Sequence, residues 1–243
     1  MPDSVFTPFD DDLELLNEVS RAASAPDFLR MAIRGAYRGR IALVSSFGTE
    51  AAVLLHMVAG IDRNTPVLFL DTLKLFPETL RYRDALIDRL GLRNVRTITP
   101  DAAAIAAEDA DGMLWQRDPD RCCALRKVAP LEQALDGFEA WINGRKRSHG
   151  ESRSHLPLVE VDGGRLKLNP LALWSADDVE SYFVANDLPR HPLEADGFTS
   201  IGCMPCSAPT LAGEGRRAGR WRGLDKTECG IHGLAAMPTR GEA

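Results

Sequence analysis

The chain has 243 residues, 44% of them hydrophobic, and a formal net charge of -6 at pH 7. That length suits one α/β domain with an appendage better than two independent domains, and the acidic balance argues against broad affinity for nucleic acid or for an anionic membrane. No long uninterrupted apolar run occurs and the acidic N-terminus lacks a basic lead into one, so neither a membrane span nor a signal peptide is expected, and the expected location is the cytoplasm.

Along residues 12–37 the apolar positions Leu13, Leu16, Val19, Ala23, Phe28, Leu29 and Ile33 fall at helical spacing, with a break near Pro26. This predicts a helical cap over 1–40. Ile41, Ala42, Leu43 and Val44 then form a short buried-strand pattern, followed by the small polar turn Ser45, Ser46, Phe47, Gly48, Thr49 and an apolar helix over 50–59. The unit repeats as a strand over 66–70 ending in Leu70, Asp71 and Thr72, a helix over 77–90 opened by its proline, and a strand over 94–98. A helix is expected over 121–135, a strand over 138–142 running into the basic residues Arg145, Lys146 and Arg147, and a hairpin over 157–168 turning on Asp162, Gly163 and Gly164. Ser175, with Asp178 three residues on, should cap a helix reaching Asn186. The alternation implies a doubly wound, mostly parallel sheet whose ligands lie beyond the carboxyl ends of its strands. Residues 1–207 are expected to form one nucleotide- and cluster-binding α/β domain, and the Gly- and Arg-rich 208–243 a flexible tail.

The five cysteines divide into four and one. Cys122 and Cys123 are adjacent, and Cys203 and Cys206 form a C-x-x-C, a turn that aims two thiolates at one metal and recurs in zinc and iron–sulfur sites. An adjacent pair is awkward for a single tetrahedral ion but can reach two irons of a cuboidal cluster, which favours 4Fe-4S; the alternative is buried hydrophobic thiols beside a loop pair. Cys229 stands apart in Glu228, Cys229, Gly230, Ile231, His232, where His232 could share a hydrogen bond with a thiolate or lend it positive charge. The turn over 45–49 aims backbone N–H groups at an anion but is not a Walker A loop. Basic residues cluster at Arg145, Lys146 and Arg147, at Arg126 and Lys127, and at Arg216, Arg217 and Arg220.

These residues resemble the assimilatory adenylyl-sulfate and phosphoadenylyl-sulfate reductases. The marks run from about Ile41 to His232: Ser45-Ser46-Phe47-Gly48, Leu70-Asp71-Thr72, Phe76-Pro77-Glu78-Thr79, Cys122-Cys123 with Arg126-Lys127, Gly144-Arg145-Lys146-Arg147, Gly202-Cys203 with Pro205-Cys206, Gly219-Arg220-Trp221, and Glu228-Cys229-Gly230-Ile231-His232. The resemblance implies an adenine-nucleotide α-hydrolase-like fold. It implies a 4Fe-4S cluster on Cys122, Cys123, Cys203 and Cys206, Cys229 as nucleophile, and Lys127 as the basic group between cluster and substrate. Arg147, Arg217 and Arg220 would meet the phosphosulfate, and Ser45, Ser46, Phe47, Gly48, Leu70 and Asp71 would hold the nucleotide. The implied reaction yields sulfite and AMP from adenylyl sulfate through a cysteine S-sulfonate, with thioredoxin or glutaredoxin as reductant and no nucleic-acid or membrane partner; a homo-oligomer is left open. The chain departs from the family at Leu73, where glycine is frequent, and at Ser148 and His149. The alternatives are phosphoadenylyl-sulfate reduction on the same scaffold, a tRNA-thiolating enzyme, which would be expected to carry a Ser-Gly-Gly-x-Asp-Ser loop, and a zinc-stabilised nucleotide-binding module.

Overall fold

In a computed structural model, residues 10–150, 153–224 and 226–233 are described. The chain opens with α1 (Asp10–Ala22) and α2 (Ala25–Met31), separated where Ser24 accepts the Asp27 N–H and Pro26 occupies the first turn; α2 runs on into a π-helical turn, Ala32–Ala36. Next come β1 (Ile41–Ser45), α3 (Ala51–Ile61), β2 (Val67–Leu70), α4 (Pro77–Leu90) and β3 (Val95–Ile98). The short helices α5 (Ala102–Glu108) and α6 (Leu114–Arg117), for which the sequence reading had no element, lead to α7 (Pro119–Cys123). A π-helical turn, Ala124–Val128, joins α7 to α8 (Ala129–Ala134), so the single helix expected over 121–135 is widened immediately after the cysteine pair. The remaining elements are β4 (Ala140–Ile142), β5 (Val159–Asp162), β6 (Arg165–Leu168) and α9 (Ala176–Ala185), the last opened by a reciprocal Ser175–Asp178 capping box.

The strands form one sheet in the order β3-β2-β1-β4-β6-β5, parallel throughout except for β5, which returns antiparallel on β6 at the edge. Chain order runs outward from β1 on one side and restarts at β4 on the other. The crevice between the carboxyl ends of β1 and β4 is therefore the switch point at which such sheets bind ligands.

Every residue of β1, β2 and β4 is buried, as expected of strands covered on both faces. Ile41, Leu43, Val67 and Phe69 pack on one face with residues of α2, α3 and α4, whereas Ala42, Val44, Leu68 and Leu70 meet Val128, Leu131, Leu135 and Trp141 on the other. The second face also receives Ile231, so the C-terminal segment lies on the core. Leu73 sits at φ +59° with its side chain 58% exposed, which explains why glycine suits that turn. No helix among the described residues is long and apolar enough to cross a membrane.

His191 ties α4 to the loop after α9. Its Nε2 lies 3.0 Å from the Thr79 hydroxyl, its Nδ1 accepts the Leu193 N–H at 3.2 Å, and it is 1% exposed. Burial pushes this imidazole down to about 4 from an ordinary 6.5. The folded state thus keeps His191 neutral where the unfolded chain would bind a proton, so its stabilising contribution is complete above about pH 6.5 and is lost as the pH falls from there toward 4. Urea unfolding should show up to about 3 kcal/mol of acid-side loss from this group. His191→Gln should flatten that slope, and an unchanged slope would contradict the assignment.

Candidate active site

A cleft of about 230 Å³ opens at the switch point. Ser45, Ser46, Gly48 and Thr49 line it from the turn after β1, Leu70 and Thr72 from the end of β2, and Asn143, Gly144, Arg145 and Lys146 from the loop after β4. Lys127 enters from the π-helical turn, where the extra residue displaces side chains from ordinary helical spacing. The C-terminal segment crosses the opening as a strap and contributes Arg217, Arg220, Trp221, Glu228, Cys229 and His232.

The strap is pinned at its base. Ala208 N–H bonds the Gly219 carbonyl, Trp221 N–H bonds the Cys206 carbonyl, and Ser207 bridges Arg220. Trp221 is 3% exposed, and the guanidinium of Arg220 stands 4.4 Å from its ring centroid. A Cβ on Gly219 would collide with the Ala208 carbonyl oxygen, and one on Gly202 with the Arg220 guanidinium. Gly219 therefore requires glycine for close approach to backbone, whereas a side chain at Gly202 would displace the flexible end of Arg220.

The five thiols are unpaired, with Cys122, Cys123 and Cys203 buried and Cys206 and Cys229 half-buried. Cys203 lies 3.2 Å from the Thr72 hydroxyl. Burial would raise its thiol, but Lys127, the Thr72 bond and Arg220 outweigh this and hold it below the ordinary value. Burial pushes Cys123 up to about 11 and raises Cys122 and Cys206. These four act electrostatically on one another, and Lys127 feels Cys203, Cys229 and Cys123, which together raise its pKa although burial alone would lower it. Lys127 therefore stays charged, held so by Cys203, Cys229 and Cys123. Among the described residues, no three His, Cys, Asp or Glu side chains converge closely enough for one metal ion. The donor chemistry of the sulfur group, thiols beside a fixed cation, fits a thiolate-ligated cluster with net negative charge.

Two carboxylates in the lining of the cleft balance its cations, and Glu160 pairs with Arg145 besides. Glu50, at the mouth of α3, is met by Lys146 Nζ at 2.8 Å, His149 Nε2 at 2.8 Å and Arg216 at 2.7 Å. Burial opposes its ionisation, yet His149 and Lys146 hold it far below the usual carboxylate range. Glu228 is met by Arg153 and Arg217. Burial lowers both Arg145 and Arg217 to about 10, with the charge of Arg153 adding to the effect, so both remain protonated at neutral pH.

Several expectations change. Arg147 is exposed and donates from Nε to the Leu156 carbonyl at 2.9 Å, outside the cleft; the preceding Arg145 and Lys146 line it instead. Phe47, at φ +48°, turns into the core against Phe69, leaving Ser46 and Gly48 to face the cleft. Asp71 spends a carboxylate oxygen on the Leu73 N–H at 2.9 Å, fixing the turn, while Leu70 does line the cleft. His232 cannot supply positive charge: burial and the fields of Lys167, Arg145, Arg153 and Arg217 keep it neutral, and its ring stacks on Trp141 at 6.1 Å. Arg126 forms a buried ion pair with Asp109 and donates to the Thr72 carbonyl, so it braces the cysteine pair from behind. Glu50 and Arg153 carry no motif, and Glu228 stands in the motif of Cys229 without an assigned role. Only the position of Glu228 beside Cys229 could have signalled one of them.

Gly202→Ala should push Arg220 off its ledge and weaken AMP binding by about tenfold, the scale of one charge-assisted hydrogen bond, as read by calorimetric titration. Unchanged affinity would place the anion elsewhere.

Residues 40–209 match the phosphoadenosine phosphosulfate reductase domain model. The adenosine 5'-phosphosulfate reductase of Chelativorans sp. (strain BNC1) is 46% identical over 95% of this chain and 96% of its own. The phosphoadenosine 5'-phosphosulfate reductase of Gloeobacter violaceus is 39% identical over 86% and 88%. The crystal structure of phosphoadenylyl-sulfate reductase from Candida auris, a phosphate complex, superposes with a TM-score of 0.71 at 24% identity, covering 84% of this chain and all of that one. With sequence similarity spanning both the switch-point turn and the cysteine-bearing elements, the chain belongs to the phosphoadenosine phosphosulfate reductase family.

Proposed function

We propose that this chain is an adenylyl-sulfate reductase of assimilatory sulfate reduction. The observation that carries the proposal is the position of Lys127, which follows the cysteine pair in the chain and lines the switch-point cleft together with Cys229, Arg217 and Arg220. The names borne by its relatives support the same nucleotide class.

In the proposed reaction the Cys229 thiolate attacks the sulfonyl sulfur, the S–O bond to phosphate breaks, and AMP departs with the bonding pair. A cysteine S-sulfonate remains. One thiolate of an external dithiol then attacks the Cys229 sulfur and expels sulfite as a mixed disulfide forms; the second thiol closes its own disulfide and returns Cys229, so the dithiol supplies both electrons. Thioredoxin or glutaredoxin fits this requirement. Thiolate and phosphosulfate are both anionic, and Lys127, Arg217 and Arg220 offset their repulsion and the charge growing on the leaving phosphate. Backbone N–H groups and hydroxyls at Ser45, Ser46, Gly48 and Thr49 are suited to the nucleotide phosphate and ribose.

Cys122, Cys123, Cys203 and Cys206 would hold a 4Fe-4S cluster, which when bound would shape the field around Lys127 rather than pass electrons to substrate. The cytoplasm, where thiols stay reduced, suits five unpaired cysteines. The cleft is smaller than the roughly 300–1,000 Å³ usual for ligand pockets, which supports a strap that lifts to admit the nucleotide and again to present the adduct to the dithiol. The phosphoadenosine 5'-phosphosulfate reductase of Gloeobacter violaceus keeps the 3'-phosphorylated nucleotide as a second reading, distinguishable by comparing turnover of both substrates.

Cys229→Ser should abolish sulfite release while AMP affinity stays within about twofold, because the lost group acts in the chemical step. Full activity in that variant would remove the mechanism. Cys203→Ser should lose iron and acid-labile sulfide on anaerobic analysis, and iron retained at the wild-type level would refute the ligand set.

A further inference from the structure

Glu228 immediately precedes Cys229, an unexpected place for an acid if a thiolate there is to attack an anionic substrate. Its carboxylate is held on both oxygens by one side chain, with Arg153 Nε at 2.6 Å and Nη2 at 2.7 Å. The arrangement is a bidentate fork, the strongest geometry available to a carboxylate and a guanidinium. Arg153 is 7% exposed and belongs to the loop between β4 and β5, on the body of the domain. Arg217 completes the contact from within the strap, with Nη2 at 3.3 Å from Glu228 and at 2.8 Å from the Thr227 carbonyl.

The fork does two things at once. It neutralises the acid beside the nucleophile, removing the repulsion that a bare carboxylate would impose on an incoming sulfate. It also fastens the strap to the body one residue from the reacting sulfur, beyond the backbone bonds at Ala208, Gly219 and Trp221 that pin its base. The fork shares this docking with Lys226, which pairs with Asp120, and with Ile231 and His232, which rest on the core and on Trp141, while Gly230 at φ +84° follows the nucleophile.

We infer that Glu228 is a positioning residue whose ion pair with Arg153 docks the strap and sets Cys229 in the cleft, and that Arg153 is thereby withheld from the cations that meet the substrate. This rests on the proposed reductase reading for the role of Cys229, but the docking itself is independent of it. Loss of the pair lowers the docked fraction and therefore kcat. It leaves nucleotide affinity nearly unchanged, because Ser45, Gly48 and Lys127 stay in place and the pinned base of the strap keeps Arg217 and Arg220 at the cleft.

The test compares wild type with Glu228→Gln, Arg153→Lys, Arg153→Gln and the double exchange Glu228→Arg with Arg153→Glu, all as anaerobically purified holoenzyme. Amide hydrogen exchange in peptides spanning Cys229, measured without nucleotide, should quicken by about tenfold in Glu228→Gln and Arg153→Gln and less in Arg153→Lys, which keeps the charge without the fork. In the two glutamine variants kcat for adenylyl sulfate should fall by about tenfold with KM within about threefold, and the double exchange should recover part of both losses. Unchanged exchange in Glu228→Gln, or a raised KM at constant kcat, would overturn the inference, the second by making Arg153 a substrate contact. Should wild type release no sulfite, the reductase reading fails while the exchange data still decide whether the fork docks the strap.

Discussion

A crowd of cations facing one cleft repels itself, and the fold depends on where the compensating charge is placed. Arg145, Lys146, Arg153, Arg217, Arg220 and Lys127 come from three separate parts of the chain and line a single opening. At close range, like charges in a partly desolvated site cost several kcal/mol unless opposed. The answer here is a division of labour. Glu50 holds the Lys146 side, Glu228 holds the Arg153 side, and the thiols of Cys203, Cys229 and Cys123 face Lys127. Arg220 and Lys127, which have no carboxylate among the ion pairs of the cleft, line it together with Cys229.

The sheet makes this convergence possible. Because β1 and β4 are adjacent and parallel, the turns that follow them open at the same edge although nearly a hundred residues separate them. The widened helical turn after Cys123 then brings Lys127 into the same space, and the strap closes over it with Trp221 as its anchor. Each of these contacts joins elements distant in sequence, so the site is a product of topology rather than of any local motif.

Much of the architecture was legible because strands buried on both faces read as continuous apolar runs, as in 41–44 and 66–70, and because Pro77 and Ser175 carry explicit helix-start chemistry. The helices α5 and α6 were not, being short and without a full apolar face. In the site, spacing singled out the cysteines and the turn after β1, and the resemblance named Lys127, which lines the same cleft. The resemblance pointed to Arg147, but Arg145 and Lys146 line the cleft, since the three look alike in one dimension and only the backbone path decides which faces inward. Of the two roles open to His232, a shared hydrogen bond or positive charge, the second fails because sequence shows an imidazole but not the four cations around it. Arg153 has no motif at all; its role arises from its distance to Glu228, which no linear pattern encodes.

The central claim is that the sulfur leaving the nucleotide passes through Cys229. Incubating the holoenzyme with ³⁵S-labelled adenylyl sulfate in the absence of any thiol, then digesting and mapping the labelled peptide, tests it directly. The account predicts one stable sulfonate on the peptide containing Cys229, discharged as sulfite when a dithiol is added. Label on Cys122, Cys123, Cys203 or Cys206, or no covalent label during turnover, would contradict it.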